Sequence, residues 1–247
     1  MTQVSFGSGN MFGIPSGSNP TPGIFGVLQE VDLEFSSTLK ELFGQNQYPV
    51  AVARAAQKIT GKANTAQINA RMFNSLFFGG TLAGGTSGIL QANSEAGTIP
   101  APSGPYTVTV TNSANFLQDG GVVYAATGIQ LVRVASGPTT GQYSVSAGVY
   151  TFAAADASLG VLITYTYSTT SGASKITITN QPMGVAPTFQ LNLSTTFNSK
   201  VVNFQLQACV SNKLSFPFKN QDFTISDFEF EAYPDASNIV GYLTTTE

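Results

Sequence analysis

The chain has 247 residues, enough for one large β domain or for a core carrying a smaller insert. It has no histidine, a single cysteine and a net charge of −3. That excludes Ser-His-Asp and Cys-His catalysis, histidine-containing zinc sites, a disulfide within the chain and phosphate binding by bulk positive charge. Charged residues are only 9% of the total, a weak defence against association, so the surface is expected to be covered largely by other copies of the chain. Residues 1–25 are rich in Gly, Ser and Pro, with Phe6, Met11, Phe12, Ile14, Ile24 and Phe25 spaced through them. A solvating linker would lack those apolar residues. The segment therefore reads as an arm, lying along a neighbouring subunit or folded back on its own core.

From 30 to 35 the pattern alternates strictly, with Val31, Leu33 and Phe35 on one side and Glu30, Asp32 and Glu34 on the other. That is the period of a half-buried strand. Strands are also predicted over 50–54 and 59–63. Between them and the first strand, residues 36–49 read as a long loop, with Phe43, Gln45, Asn46, Gln47, Tyr48 and Pro49 as its polar run. At Asn64 the period turns helical. Asn64 is a candidate cap, Gln67 its capping-box partner, and Ile68, Met72, Phe73, Leu76 and Phe77 form one apolar face before Gly79 and Gly80. One amphipathic helix over 64–78 should therefore lie on the sheet.

Residues 79–105, polar and rich in Gly and Pro, read as a connection. Residues 106–180 read as a separate small β domain, with short β-branched or aromatic runs at 107–111, 122–124, 129–134, 142–146, 149–152, 161–167 and 175–179. The clearest hairpin is 142–152. This insert balances Asp119 and Asp156 against Arg133 and Lys175, so the remainder carries the whole charge imbalance. Beyond residue 181, Phe189, Leu191 and Leu193 alternate with polar residues, as do Val202, Phe204, Leu206 and Ala208. Residues 222–232 read as a further strand with a bulge near Ser226 and Asp227, beyond which Asp227, Glu229 and Glu231 form a second acidic face. Cys209 reads as a small buried hydrophobe.

The Gly-rich runs lack the spacing of a phosphate-binding loop. The paired carboxylates are compatible with calcium binding or glycosidase chemistry, but there is no Trp to build a sugar platform. Alternating acids along a strand most simply make a solvated face. No enzyme activity, cofactor or metal is expected. No apolar run is long enough for a membrane span and the start lacks a basic signal-peptide region, so synthesis and assembly are expected in a cytoplasm, with no membrane partner.

The run V-D-L-E-F, then K-E-L-F-G-Q-N-Q-Y-P-V-A-V-A-R, K-I-T-G-K-A and F-N-S-L-F-F-G, resembles the tube-forming major tail proteins of tailed bacteriophages. The closing S-N-K-L-S-F-P-F-K-N-Q-D-F-T-I-S-D-F-E-F-E-A-Y-P-D-A is similar to the last strands of that family; together the likeness covers residues 26–80 and 180–247. It implies an all-β fold with one flanking α-helix: a β-sandwich or barrel-like core over 26–105 and 181–247, preceded by the arm 1–25 and carrying the inserted β domain 106–180. It also implies a homo-oligomeric ring, hexameric in the family, stacked into the tail tube of a virion, with a tape measure and a tail terminator as further partners. Duplex DNA would pass without specific binding. Glu30, Asp32 and Glu34 become candidate lumen-facing acids, and the 36–49 loop, with Phe43, Gln45, Asn46, Gln47, Tyr48 and Pro49, a candidate inter-ring contact. The alternative is a virion or cell-surface decoration protein that binds a host glycan or protein through the insert.

Overall fold

The computed structural model describes residues 4–83, 85 and 88–246. In chain order the strands are β1 (Asn10–Pro15), β2 (Gly23–Ile24), β3 (Leu28–Phe43) and β4 (Pro49–Thr65), followed by α1 (Ala70–Phe73), which runs on into a π-turn (Asn74–Phe78). Next come β5 (Thr81–Ala83), β6 (Gly88–Thr98), β7 (Thr107–Thr109), β8 (Phe116–Tyr124), β9 (Val132–Arg133), β10 (Gln142–Ser146), β11 (Val149–Phe152) and β12 (Gly160–Thr169). The chain closes with β13 (Lys175–Thr177), β14 (Thr188–Phe197), β15 (Lys200–Ser215), β16 (Ser226–Tyr233) and β17 (Gly241–Thr245). Among the described residues the fold is all-β with one short α-helix, as the sequence predicts.

The chain divides into two compact units, Met1–Leu82 with Ile176–Glu247, and Ala83–Lys175. The second unit thus begins earlier than residue 106. The reason is β6, which lies inside the stretch read as a connection and pairs with β12 from Gly88↔Thr169 to Thr98↔Gly160. Its Gln91, Asn93 and Ser94 leave no period-two signal, so only the pairing reveals it as a strand.

In the first unit the sheet runs β2-β1-β14-β15-β16-β4-β3, with β17 also on β15. One face is apolar: Met11, Ala63, Phe189, Leu191, Leu193, Leu206, Cys209, Phe228 and Phe230 are buried there together with Met72, Phe73 and Leu76 of the helical segment. The N-terminal arm takes the fold-back option, since β1 pairs with β14 over its whole length and Phe25 joins the core. Its glycines explain how. Gly13 and Gly23 face each other across β1 and β2, and a Cβ on either would press on Leu76 (2.7 Å) or Met72 (2.9 Å).

The helix is shorter than predicted. β4 continues to Thr65, so Asn64 is a strand residue and the cap is Asn69, whose Oδ1 accepts from the Met72 amide at 3.1 Å. Ile68 lies before the helix and is exposed rather than packed, while Met72, Phe73 and Leu76 are buried as expected. Gly79 ends the segment in the left-handed region at φ 61°. The Ser211 hydroxyl donates to the Leu76 carbonyl at 2.7 Å and ties the π-turn to β15.

Two details of the closing strands also differ. Between Phe189↔Cys209 and Leu191↔Leu206 the register slips, so Leu206 and Cys209 both face the core and Ala208 does not. Burial pushes the Cys209 thiol up to about 12. No bulge occurs at Ser226: residues 216–225 lie outside any strand, and β16 starts at Ser226 and alternates cleanly, with Phe228 and Phe230 in and Asp227, Glu229 and Glu231 out.

The second unit has its own core, shared by sheets β7-β11-β10-β9 and β6-β12-β8, and the 142–152 hairpin forms as predicted. Its acids are structural pins. Asp119 accepts from the Tyr143 and Tyr150 hydroxyls at 2.6 and 2.9 Å, and Asp156 accepts from Tyr124 at 2.9 Å and from the Gly141 amide at 3.1 Å. Burial, then the Asp119 carboxylate, holds both Tyr143 and Tyr150 phenols well above their ordinary range. Glu95 accepts from Tyr165 at 2.6 Å and from the Thr111 amide and hydroxyl at 2.7 and 2.8 Å.

Candidate functional site

The two acidic strand faces seen separately in the sequence lie on one face of the first unit's sheet. Registers align them in rows: Glu30 and Asp227 flank Asn64, Asp32 and Glu229 flank Lys62, and Glu34 and Glu231 flank Thr60. The acids of β3 and β16 are therefore columns one strand apart on either side of β4, roughly 10 Å from each other. Both belong to the face opposite the core, because Val31 and Leu33 turn inward on β3, as Phe228 and Phe230 do on β16.

The lysines on this face serve only one column. Lys58 lies 2.9 Å from Glu231, Lys62 lies 3.1 Å from Asp227, and Lys213 reaches Glu229 at 2.6 Å and Asp227 at 3.3 Å. The hydrogen bonds to Glu229 and then Asp227 raise the Lys213 pKa above its ordinary value. On β3, Glu30 accepts from the Asn64 side-chain amide at 3.1 Å, and among the described residues neither Asp32 nor Glu34 has an ion-pair partner. The three acids of β3 are exposed. This is a wet, unneutralised column, and charge of one sign there is tolerable because solvent screens it.

Further along the same two strands the sheet narrows to a hairpin. β16 accompanies β4 only as far as Ala232↔Ile59, whereas β3 and β4 stay paired to Phe43↔Pro49. Most of the predicted 36–49 loop is therefore strand; only 44–48 turns. Phe43 ends β3 and Pro49 starts β4, with Gln45, Asn46, Gln47 and Tyr48 in the turn itself. This arm reaches roughly 25 Å beyond the sheet at a strand's usual rise. Both its faces are open: Leu39 and Val52 are exposed on one, Leu42 on the other, with Phe43, Tyr48 (83%) and Val50 exposed near the tip. At its root Phe35, which the alternation predicted to be inward, is exposed, its ring 6.3 Å from Phe204 beside Ile59, Tyr242 and Leu243.

Sequence reasoning found the acids and the tip but missed the arm. A hairpin wet on both faces has no reason to alternate, and Leu39, Leu42 and Phe43 do not. The sequence predicts the return strand over 50–54, where the V-A-V-A run is β-branched at alternate positions; the half it misses is 36–43.

Chemically the face offers exposed carboxylates and lysine ammonium groups. Among the described residues no cluster of three or more His, Cys, Asp or Glu is arranged to hold a metal, and no helix is long and apolar enough to cross a membrane. Neither a scan against protein-family models nor a search of curated proteins gives a match to this chain.

Proposed function

We propose that this chain is a structural subunit whose copies join in rings that stack into the tail tube of a bacteriophage, the conduit through which DNA leaves the particle. The observation that carries the reading is the β3–β4 arm. A lone two-stranded hairpin is marginal in water, and this one exposes Leu39, Leu42, Phe43, Tyr48, Val50 and Val52 with no third strand beside them among the described residues. Assembly supplies the missing contacts. The open β3 edge, 16 residues long, gives a second surface for lateral pairing between copies.

The acidic column fits a conduit. Lys and Arg would hold phosphates by releasing counterions, whereas Glu30, Asp32 and Glu34 repel them and leave a duplex free to slide. Sedimentation of the full chain against a variant with 39–54 replaced by a two-residue Asn-Gly turn tests the reading. The full chain is expected to form large polymers and the shortened one to stay folded and small. Polymerisation of the shortened chain at the same concentration would refute the role given to the arm.

A further inference from the structure

Between the N-terminal strands and β3 the chain passes through a strained joint. Gly26 and Val27 form the turn that leads from β2 into β3, and Val27 stands in the left-handed region at φ 51°. There an L side chain crowds a following carbonyl oxygen, and a branched Cβ worsens the clash, so such positions favour Gly or Asn. Among the described residues, Val27 is the only β-branched one at positive φ. Its side chain is exposed, so packing does not offset the strain. The end of β4 imposes it instead. The Thr65 hydroxyl donates to the Gly26 carbonyl, and the Ala66 amide donates to the Val27 carbonyl at 3.1 Å. A conformation held in this way lasts only while its clamps do.

The N-terminal side of the joint is a small hairpin of its own. β1 and β2 pair through Phe12↔Ile24 and Gly13↔Gly23, and the Phe25 amide donates to the Met11 carbonyl at 3.0 Å. Its ladder to the rest of the sheet is β1 on β14, from Asn10↔Ser194 to Pro15↔Phe189, at the end of the strand order. Met11 and Phe25 are its buried anchors. No charged side chain precedes Glu30, so no ion pair pins this hairpin down. Lifting it breaks that ladder, frees the Gly26 and Val27 carbonyls and lets Val27 leave the left-handed region. Strain in the closed joint therefore lowers the cost of opening.

We infer that residues 10–26 are a strap that lifts as one piece about Val27, ahead of the rest of the first unit, and that the strained joint sets how often it does so. Closed, the strap caps the edge of β14 and covers Leu76 and Met72, against which Gly13 and Gly23 lie. Open, it bares a strand edge able to pair with another backbone. The strap is thus a gate on that edge. Its opening is a property of the single chain and holds whatever the copies build.

Amide hydrogen exchange of the full chain, followed by mass spectrometry, tests it. The amides of residues 10–26 are expected to exchange together and faster than those of β15 and β16, as a local opening requires. Val27→Gly and Val27→Asn suit the left-handed region and should slow strap exchange roughly tenfold, the scale of one left-handed penalty. Val27→Ile keeps the branched Cβ and should leave the rate unchanged. Strap protection equal to that of β15 and β16 would overturn the opening. Strap exchange unmoved by both relieving substitutions, or slowed as much by Val27→Ile, would overturn the role given to Val27.

Discussion

At the scale of single residues, close packing and satisfied charge decide the outcome. Gly61 of β4 sits where a Cβ would overlap the Phe230 ring, so Gly61→Ala must displace a fully buried aromatic. A loss of about 1–3 kcal/mol is expected by denaturant unfolding; an unchanged midpoint would mean that β4 does not lie against Phe230. Glu95 makes a different demand. Burial raises its pKa, but the hydrogen bonds from Tyr165 and Thr111 to the charged form outweigh this and leave it below its ordinary value of 4.5. A carboxyl with a depressed folded pKa contributes stability above its unfolded pKa and loses it as pH falls through the folded value. The second unit should therefore weaken as pH falls below about 4.5. Glu95→Gln should cost about 1–3 kcal/mol at neutral pH and flatten that acid limb when unfolding is followed by tyrosine circular dichroism. An equally steep acid limb in the variant would assign the titration to another group.

At the scale of elements, legibility follows burial. Phe189, Leu191 and Leu193 alternate in the sequence because one side of β14 meets the core, and the strand forms as read. The 142–152 hairpin was equally plain. The arm was not, because an element that buries neither face imposes no pattern; β6 was not, because backbone pairing with β12 holds a polar sequence extended. The helix began late because Asn64 and Thr65 are claimed by two neighbouring strands, which outweigh a local capping signal. Of the acidic site, the exposure of Glu30, Asp32 and Glu34 was legible from period alone. Their alignment with Asp227, Glu229 and Glu231 was not, since that depends on pairing across more than 160 residues of chain.

At the scale of the whole molecule, each of the two units has its own core: among the described residues, none of the first unit's buried cluster belongs to the second's. The second unit should be dispensable for assembly. Replacing residues 84–174 with a short Gly/Ser linker is expected to leave a folded, polymer-forming chain by sedimentation; an unfolded product would show that the first unit depends on the second. The central claim concerns what the intact chain builds, and negative-stain electron microscopy of the purified protein at rising concentration tests it most directly. The account predicts hollow tubes of uniform width made of stacked rings. A stable monomer at every concentration, or a closed oligomer of fixed size, would contradict it, and a fixed oligomer that binds a host glycan or protein would mark the chain as a surface decoration protein instead.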